Sequence, residues 1–192
     1  MRRGSLPPSP HTLGIDDGPF HRGRDRTAPL VAVLMEGATR VEGVAISEFA
    51  LDGAHATAHL ARWIRGLRFR PSVQAVLLGG ITLCGLAVVD VEALARRLGC
   101  PVVVVNRKDP SRSRLEGALR AAGRPEGLEI LRRTPPARRL ESGLFVAAAG
   151  IAPLEAERLV RAVRQKSALP EPIRIAHLIA AAIRQGESRG KA

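Results

Sequence analysis

The sequence predicts one α/β domain, a mixed β-sheet with helices flanking it. Three observations lead there. Short apolar runs at 13–15, 29–35 and 41–51 follow one another with only turn or loop residues between them, as strands of an antiparallel meander do. Two unbroken aliphatic runs, VQAVLL (73–78) and PVVVVN (101–106), have the pattern of parallel strands covered on both faces. The last third of the chain carries two long stretches with apolar residues at helical spacing. With 192 residues and 45% hydrophobic content, the chain can bury one substantial core, and its length favours one domain over two.

Each element has a local reason. Residues 1–11 are rich in Pro, Ser and Arg and offer little to bury, so a disordered tail is expected there, a domain over 12–186, and a second flexible tail over 187–192. After the three strands, ATAHLARWIRGL places Leu60, Trp63, Ile64 and Leu67 on one stripe and turns Arg62 and Arg65 outward. VEALARRLG reads as a helix capped by Asp90 and stopped by Gly99. SRLEGALRAAG (113–123) is a further helix, whereas LEILRR (128–133) and LFVAAAG (144–150) are weaker strand patterns. IAPLEAERLVRAVRQ has Pro153 near a helix start with Leu159, Val160 and Val163 inward. PEPIRIAHLIAAAIRQG repeats the device with Pro172, and Ile175, Leu178, Ile179 and Ile183 as its inward stripe.

Charge bounds the partners without choosing one. The 30 Lys and Arg against 18 Asp and Glu give a net charge of +12, spread along the chain, which suits a polyanion. The same charge also follows from an Arg- and Ala-rich composition, and with aromatics at 3% and no Tyr there are few stacking platforms for a single strand. Cys84 and Cys100 have no CxxC spacing, so neither a zinc site nor a disulfide framework is indicated. No run of 18 apolar residues is present to span a bilayer, and MRRGSLPPSPHT lacks the apolar core of a secretory signal. No membrane partner and a cytoplasmic location are therefore expected.

The residues suited to chemistry sit where strands end. In LGIDDGPF, alternation of side chains keeps Asp16 and Asp17 from pointing into one site, so one faces a metal and the other caps the turn with Gly18 and Pro19. The alternative is an Asp-Gly turn with no metal. LDGAHAT leads from the third strand into the first helix and puts Asp52 and His55 near its positive end, as ligands or as local capping groups. Lys108 and Arg107, just beyond a buried strand, suit phosphate contact, though exposed basic residues are common at strand ends. His177, inside the final apolar stripe, reads as a satisfied, partly buried imidazole.

These pieces resemble the deoxyuridine endonuclease family, relatives of endonuclease V with a ribonuclease H-like fold. The carriers are GIDDGPF (14–20), DGAHAT (52–57), GGIT with GLAVVD (79–90), PVVVVNRKDP (101–110) and PEPIRIAHLIAAAIRQGESRG (170–190), which together span almost the whole chain. The resemblance implies a metal-dependent DNA endonuclease that hydrolyses a phosphodiester near deoxyuridine or another deaminated base, with RNA as the other possible substrate. It implies Asp16 as metal ligand and catalytic carboxylate and Lys108 as the catalytic strand-end lysine; on the reading of the residues above, Asp52 or His55 would be the further ligands of Mg²⁺ or Mn²⁺ and Arg107 would join Lys108 on phosphate. Where the family pattern has an aspartate, this chain has Gly79, a degenerate ligand position. It also has His55 in place of a second aspartate and Leu86-Ala87 in place of a Phe-Asn pair. A catalytically impaired nucleic-acid-binding protein of the same fold is the alternative.

Overall fold

The computed structural model describes residues 6–188. Three antiparallel strands open the domain: β1 (His11–Asp17), β2 (Thr27–Glu36) and β3 (Arg40–Ala50). Helix α1 (Ala56–Gly66) leads to β4 (Ala75–Leu78), a small hairpin of β5 (Thr82–Leu83) and β6 (Ala87–Val88), helix α2 (Val91–Leu98) and β7 (Val102–Asn106). Helices α3 (Arg112–Ala121) and α4 (Pro125–Arg133), strands β8 (Arg138–Arg139) and β9 (Phe145–Ala149), and helices α5 (Pro153–Ala162) and α6 (Glu171–Gln185) complete it. The main sheet has seven strands in the order β3-β2-β1-β4-β7-β9-β8. Strands β1, β4 and β7 run parallel at its centre, and β2, β3 and β9 pair antiparallel around them.

Both central runs are buried on two faces, as their continuous apolar pattern requires. Alternation along β4 sends Val76 and Leu78 into the core beneath α1 and α2, with Leu13, Ile15, Leu60, Ile64 and Leu94. Ala75 and Leu77 go to the opposite core, beneath α5, with Val103, Val105, Leu159 and Val160. A third cluster joins Val31, Val33 and Met35 of β2 to Ala176 and Ala180 of α6. The sheet is thus the middle layer of three.

Caps act where the sequence places them. Asp90 accepts from Ala93 N at 2.9 Å at the start of α2, and Gly99 ends it in the left-handed conformation at φ 67°. Elsewhere the structure corrects the sequence. LEILRR is helical, because Pro125 opens a turn and Leu128 and Leu131 recur at helical spacing, facing Leu119 of α3. The buried stripe of α6 is Ile173, Ala176 and Ala180; Ile175 and Ile179 are only partly buried and Ile183 is 45% exposed. Small residues face the sheet because the helix lies very close to it. The expected N-terminal tail is shorter as well: Leu6 packs against the α5 core, Pro10 is buried and β1 begins at His11. Residues 1–5 and 189–192 of the two expected tails lie outside the described residues. No helix among the described residues is long and apolar enough to cross a membrane.

Candidate functional site

Helix α6 lies along β1 like a rail, and two glycines allow it. A Cβ on Gly14 would stand 2.5 Å from Ile173 N, and one on Gly18 would stand 2.7 Å from the Ala180 carbonyl oxygen. Four residues of strand advance about 13 Å, and the eight helical residues from Pro172 to Ala180 advance about 12 Å, so strand and helix keep step over this length. Between the two glycines, on the same face, is Asp16. Its Oδ2 lies 2.9 Å from Nδ1 of His177, one of the few polar side chains on α6. The hydrogen bond to Asp16 is the main cause that holds the His177 pKa above its ordinary value, against the opposing effect of burial.

Asp17 goes to the other face of the sheet, as strand alternation dictates. It does not cap the turn at Gly18, whose amide donates instead to the Pro29 carbonyl at 2.9 Å. Asp17 Oδ2 accepts from Cys84 N at 2.6 Å, and burial, then the neighbouring Asp16 charge, push its pKa up to about 6. The thiol of Cys84 is pushed up to about 12, by burial and then by Asp17. Both cysteines are free, Cys84 buried and Cys100 partly so.

Gly79 follows β4 directly beside Asp16. A Cβ there would lie 2.5 Å from Asp16 Oδ1, so the Asp16 carboxylate already occupies the space that a side chain at this tip would enter. Beyond the tip, Gly79, Gly80, Thr82, Asn106, Ser111 and Arg112 line part of a cavity of about 540 Å³ between β4, β7 and the α3–α4 pair. Arg107 is close enough for its charge to oppose protonation of His177. Lys108 is exposed at the end of β7.

Asp52 and His55 have other partners. Asp52, at φ 52°, receives Arg22 at 2.5 Å and Leu86 N at 2.7 Å, and the Arg22 hydrogen bond foremost holds its carboxyl below the usual range. His55 stands at the N-terminus of α1 in the left-handed conformation, 75% exposed, with Glu126 3.8 Å away. Asp16, Asp52 and His55 do not converge as one ligand set. Among the described residues the single group of three donors within 4.8 Å of one another is His11, Glu36 and Glu42, at the opposite end of β1. The structure therefore brings Asp16, Gly79 and Arg107 together, adds His177, and leaves Asp52 and His55 to separate contacts. His177 was hidden because one histidine in an apolar stripe reads as packing; its sole sequence signal was a polar interruption on a sheet-facing helix.

Comparisons with known proteins bear on the family and the fold. A UPF0215 protein of Methanothermobacter thermautotrophicus is 36% identical over 184 residues, covering 94% of this chain and 90% of the relative. A crystal structure of a protein of unknown function from Archaeoglobus fulgidus matches with a TM-score of 0.84 at 35% identity, over 91% of this chain and 98% of that one. Ciona intestinalis endonuclease V, in complex with a 24mer DNA containing an inosine followed by a ribo-adenosine, matches at a TM-score of 0.55 and 15% identity, over 91% of this chain and 85% of that one. The fold is ribonuclease H-like, as the resemblance implied. The family model described as endonuclease dU matches residues 8–184, and this chain belongs to that family.

Proposed function

We propose that the protein is a metal-dependent DNA endonuclease that hydrolyses a phosphodiester near deoxyuridine or another deaminated base. The observation that carries this reading is the Asp16–His177 pair beside Gly79, at the strand tip of a chain in the endonuclease dU family. The donors present fit a divalent ion only in a reduced set: the Asp16 carboxylate, with the other positions left to water and to phosphate oxygens. Asp16 would hold that ion, Mg²⁺ or Mn²⁺, through Oδ1, the oxygen that His177 does not engage. When bound, such an ion polarises a water and offsets charge on the phosphate.

The chain's own groups supply the rest. Asp16 keeps the imidazole oriented through Nδ1, which leaves Nε2 of His177 as the ring atom able to exchange a proton. Lys108 and Arg107 place positive charge beside the tip, where a scissile phosphate would lie. A base extruded from the stack, at a cost of a few kcal/mol, would enter the cavity bounded by Gly80 and Asn106. The endonuclease V likeness to a DNA-bound structure supports a nucleic-acid partner.

Gly79 favours a second reading, a nucleic-acid-binding protein of this fold without cleavage, since the tip contributes no second carboxylate. One experiment separates them: nicking of a labelled strand carrying a single deoxyuridine, with Mg²⁺ and then Mn²⁺, alongside Asp16→Ala. Metal-dependent nicking lost in Asp16→Ala is expected. Intact strands under conditions where a family member with an aspartate at the Gly79 position cuts would overturn the nuclease reading; salt-sensitive binding in the same sample would support the second.

A further inference from the structure

Far from the strand tip, three side chains with metal-binding chemistry meet over the sheet. His11 opens β1, Glu36 closes β2 and Glu42 lies near the start of β3, and one donor atom from each lies within 4.8 Å of the others. His11 and Glu36 are direct partners across the β1–β2 ladder. Glu42 has no partner in the β2–β3 ladder: Leu34 pairs with Gly43 and Met35 with Val41, so Glu42 is the extra residue of a β-bulge. In unbroken register it would stand opposite Met35, whose side chain faces α6. The bulge turns it instead to the face that carries His11, where Glu42 Oε2 lies 3.1 Å from His11 Nε2. Strands β1 and β3 flank β2 and are about 10 Å apart, so the imidazole and this glutamate bridge over the middle strand. The backbone of His11 is held by Gln74, whose side-chain Oε1 accepts from His11 N at 2.8 Å and whose backbone N–H donates to His11 O at 2.9 Å.

We propose that His11, Glu36 and Glu42 form a second divalent-metal site, selective for a first-row transition ion such as Zn²⁺, that ties β3 to β1 across β2. One imidazole nitrogen and two carboxylate oxygens are a borderline donor set, which suits Zn²⁺ rather than Mg²⁺. Water can complete the coordination, because all three side chains are only about one-third exposed, at 29%, 34% and 30%. The competing contact is the exposed Arg40–Glu36 pair at 3.1 Å, a kind of ion pair that a bound cation readily displaces. His11 and Asp16 are five positions apart on β1, about 17 Å, so the site is independent of the nuclease reading.

The test is calorimetric titration of the full chain with Zn²⁺ alone, in the Asp16→Ala background, so that the strand tip cannot supply the signal. One equivalent of Zn²⁺ is expected, with a rise in Tm on saturation. His11→Gln or Glu42→Gln should each weaken binding on the order of tenfold or more, the loss that even an outer-shell partner causes. Glu42→Gln changes one atom of a bulged, partly exposed side chain, and its Tm without metal checks that the fold is kept. No Zn²⁺ uptake by the parent, or uptake unchanged in both variants, would overturn the proposal. Nicking activity does not enter this readout.

Discussion

His177 on the last helix stands 2.9 Å from Asp16 on the first strand, residues 161 positions apart in the chain. Two glycines flanking Asp16 on its face of β1 make that approach possible, since any Cβ at 14 or 18 would strike α6. The pair is thus a product of backbone contact, and its chemistry depends on the packing to either side of it.

Replacing His177 by Ala should reduce nicking roughly 100-fold or more, as loss of a proton-transfer group at a reacting centre does. A pH effect should accompany it in metal-free protein. The His177 pKa is raised above 6.5, so its pairing with Asp16 contributes fully below that value and is lost as pH rises through the folded-state pKa. The Tm difference between the parent and His177→Gln should therefore be larger near about pH 5.5 than near about pH 8.5. Thermal melts in EDTA at both values check this.

Asp17 responds to pH in the same sense, through burial instead of a partner. Its folded pKa of about 6 lies above the unfolded value of 3.8, so its contribution is present below the unfolded value and lost as pH rises through 6. Asp17→Asn, which keeps an oxygen for Cys84 N, should stabilise the protein near neutral pH by about 1–3 kcal/mol and have little effect under acid conditions. Urea unfolding at two pH values measures it.

At Gly79, size and charge can be separated. Gly79→Ala should push the Asp16 carboxylate away from its present place and lower activity without restoring a ligand. Gly79→Asp imposes the same displacement but adds an oxygen donor, and should bind Mg²⁺ more tightly and nick faster than Gly79→Ala. Equal activity in the two variants would show that the tip carboxylate has no part in the reaction.

Gly14→Ala should cost about 1–3 kcal/mol through overpacking against α6 and should also depress nicking, because the displaced helix carries His177 off Asp16. Denaturant melts and nicking assays on one preparation test both effects.

Lys108 is exposed and lies beyond β7, so Lys108→Ala should leave Tm unchanged. It should weaken DNA binding about equally across sequences and reduce the slope of log K against log salt by about 1. Binding titrations at several salt concentrations measure that slope.

Much of the fold was legible because its signals are local. The doubly buried runs 73–78 and 101–106 became β4 and β7, and Asp90 and Gly99 bound α2 as their residue types require. LEILRR was not legible as a helix, since six residues of mixed apolar and charged character fit either period and Pro125 lay just outside the pattern. The inward face of α6 was misplaced for a related reason: large apolar residues mark a buried stripe in general, but close approach to β1 selects alanine.

By itself, then, the sequence determined the layers, the caps, the family and the opposite aims of Asp16 and Asp17, all consequences of periodicity, residue type or motif. Tertiary structure alone decided that His177 meets Asp16, that Asp52 is paired with Arg22, and that a bulge brings Glu42 to His11. Those relationships depend on which strand lies beside which and in what register, and no window of the sequence is long enough to carry that information.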